Sequence, residues 1–267
     1  MSFGLAAALI VFVLIFILRM PIALGMLSAA VCYLLITGRD LSLVVNQVMN
    51  TFYTNYVIIA VPLFILTANV MNSGKITDMV FKFAGGLCGR MRGALGHVNV
   101  LASLIFSGMT GSAIADAAGL GKIEIQAMRQ KGFDDEFSCA ITAASATIGP
   151  IFPPSIPLVI YAMLSSTSVG ALFMGGMIPA VMLTIFLMVY VAVVAKKRNY
   201  PRGDKIVLHE FIAFTLKALP SLLTPVILLV GIYTGVMTPT EAGAVAGLYA
   251  LIISVIAYRA MGWKDLF

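Results

Sequence analysis

Ser107, Thr110 and Ser112 place three hydroxyls in the six-residue run SGMTGS, and Asp116 follows in AIADAAGLG; further on, IGPIFPPSIP (Ile148–Pro157) puts four prolines into eight positions. Hydroxyl oxygens beside backbone carbonyls freed by a reversal or a proline break are hard ligands that suit a cation such as Na+. The N–H groups opening the next helix suit a carboxylate. The ends of the two inward arms, near Ser107 and Gly149, are therefore expected to attract the cation. The starts of the following half-helices, near Ser112 and Ser155, are expected to attract an anionic group. Asp116 fits this pattern, because a carboxylate within two turns of a membrane-buried tip is costly unless paired, hydrogen-bonded or reached by water. Close packing of small residues would account for the glycines but does not require the acid.

The surroundings make the breaks informative. Ser138–Ala195 is a charge-free run of 58 residues that contains all four prolines. Lipid offers no water to free N–H and C=O groups, so broken backbone at that depth survives only where it is buried in protein or lines a polar cavity. The whole chain agrees with a membrane setting: 61% hydrophobic, 10% charged, mean hydropathy +1.04, against about a quarter charged in soluble domains. The net charge of +6 sits in short basic clusters between apolar segments, which is the pattern of cytoplasmic loops and not of a nucleic-acid binder. Three separated cysteines and two histidines supply neither a disulfide framework nor a metal centre. The N-terminal apolar run has its first cation only at Arg19, which predicts a retained span with its N-terminus outside and no cleaved signal.

An all-α polytopic membrane protein follows. Spans are expected over the uncharged segments, with a re-entrant hairpin at 93–121, a broken helix at 138–164 and a further helix at 169–195. Leu95–Phe106 forms the hairpin's inward arm, about 20 Å of helix against a core of about 30 Å. If the hairpin returns to the side it entered from, 16 of the 17 Lys and Arg residues lie in the cytoplasm and only Arg39 lies outside. A full crossing would reverse the sign of every later loop, including Lys196–Arg198, so the hairpin is the better topology. Lys75–Arg92 and Ile206–Leu219 mix cations and apolar residues at helical spacing, which predicts helices along the cytoplasmic interface. TPTEAG (Thr238–Gly243) reads as a helix cap with an acidic first turn, and His97 as a snorkelling or packed residue.

The motifs SGMTGSAIADAAGLG, ATIGPIFPPSIPLVIYA and GVMTPTEAGAVAGLYA, in this order and spacing, resemble the large membrane subunit of tripartite ATP-independent periplasmic (TRAP) transporters. The resemblance runs from Arg19–Pro21 to Asp265. It implies an ion-transporter-superfamily elevator fold and sodium-driven import of a small organic acid, such as a sialic acid or a C4-dicarboxylate. A periplasmic binding protein and a small membrane subunit are the implied partners, and the bacterial inner membrane the implied location. The resemblance places Na+ between the hairpin and the broken helix, at Ser107, Thr110 and the backbone around Gly149, Phe152 and Pro154. Substrate is then expected near Ser112, Asp116 and Ser155. Residues 1–74 and 220–267 would be scaffold, 75–92 and 196–219 the arm segments, and 93–195 the transport domain. Family members resemble two inverted repeats, and this chain carries only the first hairpin and break, so it is expected to be an N-terminal half that needs a C-terminal half to transport.

Two other classes are open to the residues themselves. An intramembrane hydrolase needs a nucleophile beside a base, but Ser112 and Asp116 share one arm and His97 lies toward the other end of the hairpin. An ion channel would also use carbonyls at broken helices, but channels repeat their pore segment symmetrically.

Overall fold

The computed structural model describes residues 3–54, 56–72, 74–203 and 208–258. The start of the second expected arm at Ile206 and the expected scaffold beyond Tyr258 lie outside them. Among the described residues the regular structure is helical, apart from one isolated antiparallel bridge between Arg92 and Arg202. The backbone groups of an apolar chain are thus satisfied within each segment, as lipid demands.

Two compact units divide between Tyr56 and Val57. The first unit holds α1 (Phe3–Ile17), α2 (Ile22–Thr37) and α3 (Ser42–Thr54). Helices α1 and α2 pack as an antiparallel pair: a Cβ built on Gly4 would lie 3.0 Å from Thr37, and one on Gly25 3.2 Å from Ile15. The outer faces of the pair carry Phe3, Ile10, Phe16 and Ile22, all exposed and apolar.

The second unit begins within the 3₁₀ turn Tyr56–Ile59. It continues through α4 (Ala60–Met71), α5 (Gly74–Cys88), α6 (Ala94–Thr110), α7 (Ala113–Ala118), α8 (Leu120–Gln130), α9 (Asp135–Ala146) and α10 (Ile156–Ser165). Then come α11 (Val169–Lys197), α12 (Leu208–Tyr233) and α13 (Pro239–Ile252), which runs on into the π-helical turn Ile253–Ala257. Among the described residues, Val169–Lys197, Phe211–Tyr233 and Pro239–Ala257 are single helices long and apolar enough to cross a membrane. The apolar α6 and α10 are shorter, 17 and 10 residues.

The expected second arm and the span after it form one helix, α12, with Pro220 and Pro225 inside it. A proline removes a backbone donor and leaves a carbonyl open. Tyrosines from the end of the unit bond this stretch: Tyr249 Oη donates to Pro220 O (3.0 Å), and Tyr258 Oη donates to Lys217 O (2.7 Å) and accepts from Ser221 N (3.2 Å). Helix α13 begins with the expected cap. Thr238 Oγ1 accepts from Glu241 N (3.3 Å), and Glu241 Oε2 accepts from Thr238 N (2.7 Å). It packs on α4 through small residues, since a Cβ on Gly243 would lie 3.0 Å from the Phe64 ring and one on Gly247 3.0 Å from Thr67 Oγ1.

Candidate functional site

The reversal at the hairpin is tighter than the six-residue tip suggests. Helix α6 runs through Ser107 and Thr110, and only Gly111 and Ser112 separate it from α7. Gly111 adopts φ +58°, a left-handed conformation that costs other residues roughly 1–2 kcal/mol, and its missing side chain leaves room for the carbonyl of Pro154. Through its last turns α6 satisfies its own hydroxyls by bonding them back along the helix. Ser107 Oγ donates to Ser103 O (2.6 Å), and Thr110 Oγ1 donates to Phe106 O (3.4 Å). Both residues are buried, and each hydroxyl that spends its proton this way keeps its oxygen lone pairs for another donor or a cation.

The break between α9 and α10 covers Thr147–Ser155 and contains the cis peptide Pro153–Pro154. Three of its residues are prolines without an N–H, and no described backbone donor reaches the carbonyls of Gly149, Phe152 or Pro154. The expected cation ligands thus include three carbonyls that accept from no backbone donor among the described residues. Ser155 caps α10: its Oγ accepts from Leu158 N (3.3 Å) and donates to Pro150 O (2.5 Å). Ser112 caps α7 in the same way, accepting from Ala115 N (3.3 Å). Both expected anion positions are therefore helix N-caps.

The two interruptions meet. Gly111 lies against Pro154 and Ser155, a Cβ on Gly108 would touch the Phe152 ring at 3.4 Å, and a Cβ on Gly149 would lie 3.1 Å from the backbone of Ser112. A side chain at Gly149 would press on that backbone. Ser112, Gly149, Pro154 and Ser155 are thus brought together, with Ser107 and Thr110 on the last turns of α6.

Asp116 points elsewhere. It is 1% exposed and turned toward Ser103, and neither carboxylate oxygen has a hydrogen-bond partner among the described residues. Close enough to act on it electrostatically lies a second buried acid, Glu124 of α8, which the sequence reading did not single out. Asn99 Nδ2 donates to Glu124 Oε2 (2.6 Å) and to Thr142 Oγ1 (2.7 Å), and Ser145 Oγ donates to Asn99 Oδ1 (2.8 Å). Ser103 Oγ reaches Ser145 Oγ at 3.1 Å. This network joins α6, α8 and α9 behind the tip. Its signal in the sequence is the stripe Asn99, Ser103, Ser107, Thr110 at helical spacing along an otherwise apolar arm.

At the opposite end of α9, Asp134 accepts from Tyr200 Oη (2.6 Å) and Arg198 Nη1 (2.5 Å). The Tyr200 hydroxyl first, then the guanidinium, hold its carboxyl below the usual carboxylate range.

A family model described as the DctM component of the tripartite ATP-independent periplasmic transporter matches residues 9–267. The chain belongs to the DctM family. It is 46% identical over 242 residues to the sialic acid TRAP transporter large permease protein SiaM of Vibrio cholerae, covering 91% of this chain and 57% of that protein. It is 40% identical over 260 residues to the sialic acid TRAP transporter permease protein SiaT of Haemophilus influenzae, covering 97% of this chain and 42% of that protein. With the C4-dicarboxylate TRAP transporter large permease protein DctM of Pseudomonas aeruginosa it shares 38% over 207 residues, covering 78% of this chain and 48% of that protein. The chain spans about half the length of these curated relatives. DctM-family relatives are transporter permeases, not enzymes, which removes the hydrolase reading.

Proposed function

We propose that this chain is one half of a secondary transporter that imports a small organic acid together with Na+, both held where the hairpin meets the broken helix. The interlocking of those two interruptions carries the reading: Gly111 against Pro154 and Ser155, Gly149 against Ser112. Sodium is assigned to Ser107, Thr110 and the carbonyls of Gly149, Phe152 and Pro154, hard oxygens with lone pairs to spare. The substrate carboxylate is assigned to the N-cap at Ser155, supported by the similar cap at Ser112, where the helix dipole favours negative charge. Asp116 is assigned to the buried polar network beside Glu124, behind the tip. Relatives named for sialic acid and C4-dicarboxylates support a carboxylate cargo, a periplasmic binding protein, a small membrane subunit and an inner-membrane location. The rest of the large subunit supplies the second hairpin and break, and transport proceeds by an elevator motion with the N-terminus on the periplasmic side.

The test is uptake of a labelled organic acid into proteoliposomes holding the complete transporter, with its binding protein outside. Uptake that requires both an inward sodium gradient and the binding protein is expected. Flux down the substrate gradient alone, indifferent to sodium and binding protein, would make the protein a channel.

A further inference from the structure

Near the start of α6 the chain gathers positive charge around a cavity. The bridge between residues 92 and 202 is closed by Gly93 N donating to Pro201 O (2.9 Å) and Gly203 N donating to Met91 O (3.4 Å). It sets Arg92 opposite Arg202, an arrangement of like charges that is unfavourable unless something negative lies between them. Lys196, in the last turn of α11, joins them on a cavity of about 460 Å³ completed by Met91, His97 and Ala192. None of the three cations forms an ion pair among the described residues; the acids Asp134 and Asp135 are engaged by Arg198 and Arg129 instead. His97 lines the same cavity, is 1% exposed, and has no partner at either ring nitrogen. Positive loops are common on the cytoplasmic side, but topology alone requires neither a shared cavity, nor paired arginines, nor a buried histidine without a partner.

A second cavity, about 220 Å³, shares Arg202 with the first. Its walls are apolar, with Phe81, Phe133 and Phe214 from three separate segments, and Lys82 and Lys131 lie on its lining. A basic recess and an adjoining apolar slot match a molecule that carries an anionic head and a hydrocarbon tail.

We propose that this end of the fold binds an anionic phospholipid, its phosphate held by Arg92, Lys196 and Arg202 with His97, and an acyl chain laid into the slot beside Phe81, Phe133 and Phe214. Basic pockets between membrane helices on the cytoplasmic side recognise such headgroups. The site joins α5, α6, α11 and α12, so an occupied site ties the hairpin's base to the expected arm helices. The assignment rests on the membrane placement given above and not on sodium coupling.

The experiment is native mass spectrometry of the complete transporter released from nanodiscs of phosphatidylglycerol or of phosphatidylcholine. Wild type is expected to retain phosphatidylglycerol and to lose phosphatidylcholine. The pair Arg92→Gln and Arg202→Gln should cut that retention about tenfold or more, and Lys196→Gln alone, on an exposed helix end, by a smaller factor. Because the readout is bound lipid mass, it stands whether or not uptake proves sodium-coupled. Equal retention of the two lipids by wild type, or undiminished retention in both the double variant and Lys196→Gln, would overturn the proposal. Binding of inorganic phosphate without selective lipid retention would overturn the lipid as well.

Discussion

Ser107 and Thr110 donate their hydroxyl protons to carbonyls of the preceding turn, so what they present to a ligand is oxygen lone pairs. Fixing the proton on a carbonyl leaves the oxygen already oriented for a cation. Ser107→Ala and Thr110→Ala in the complete transporter are expected to raise the sodium concentration for half-maximal uptake, by about tenfold if one ligand is worth ~1.4 kcal/mol. An unchanged sodium dependence in both variants would remove these residues from the site. Asp134 gives a prediction of another kind. Its carboxyl is held down in the folded state, first by Tyr200 and then by Arg198, so its contribution is present above the ordinary carboxylate range and fades as pH falls through the lowered value. Thermal unfolding across pH should show Asp134→Asn less stable than wild type at neutral pH, with the two converging in acid. Coincident curves at pH 7 would show that this exposed cluster contributes nothing, as many surface pairs do.

The tip of the hairpin depends on one backbone conformation. Gly111→Ala adds strain at φ +58° and drives a methyl into the Pro154 carbonyl, so α6–α7 and the α9–α10 break can no longer interlock. Loss of uptake and a lower unfolding temperature are expected, whereas Gly175→Ala, on an exposed turn of α11 with nothing within 4 Å, is expected to be neutral or to stabilise. Equal behaviour of the two variants would refute the interlock. The hairpin and break were readable because four prolines, two glycines and a cluster of hydroxyls have no ordinary place in a charge-free run. The inward arm, expected to end at Phe106, runs on to Thr110 and stops at left-handed Gly111, since serine and threonine can stay helical by bonding their hydroxyls back along the helix. Glu124 went unnoticed for a similar reason: its partner Asn99 stands 25 residues away, and nothing local marks it as buried. The continuity of α12 was hidden by Pro220, since the tyrosines that bond the backbone around it come from α13 and beyond.

An elevator requires the hairpin and the broken helix to travel as one piece past a fixed frame. Single cysteines at Ser112 and Ser155 are expected to change their accessibility to a membrane-impermeant thiol reagent together as sodium and substrate are varied. Independent responses at the two positions would leave a rocking or channel-like mechanism. The packing of α13 on α4 bears on how such a molecule is made. Phe64 and Thr67 of α4 meet Gly243 and Gly247, residues some 180 positions later in the chain. At synthesis rates of about 5–20 residues per second, α4 waits on the order of ten to thirty seconds for its partner. Helices α6 and α10 pack on α4 earlier, but the stripe of α4 that meets Gly243 and Gly247 stays without α13 throughout that interval. Within this unit α13 therefore closes over α4, and that contact can form only after Gly247 has been synthesised.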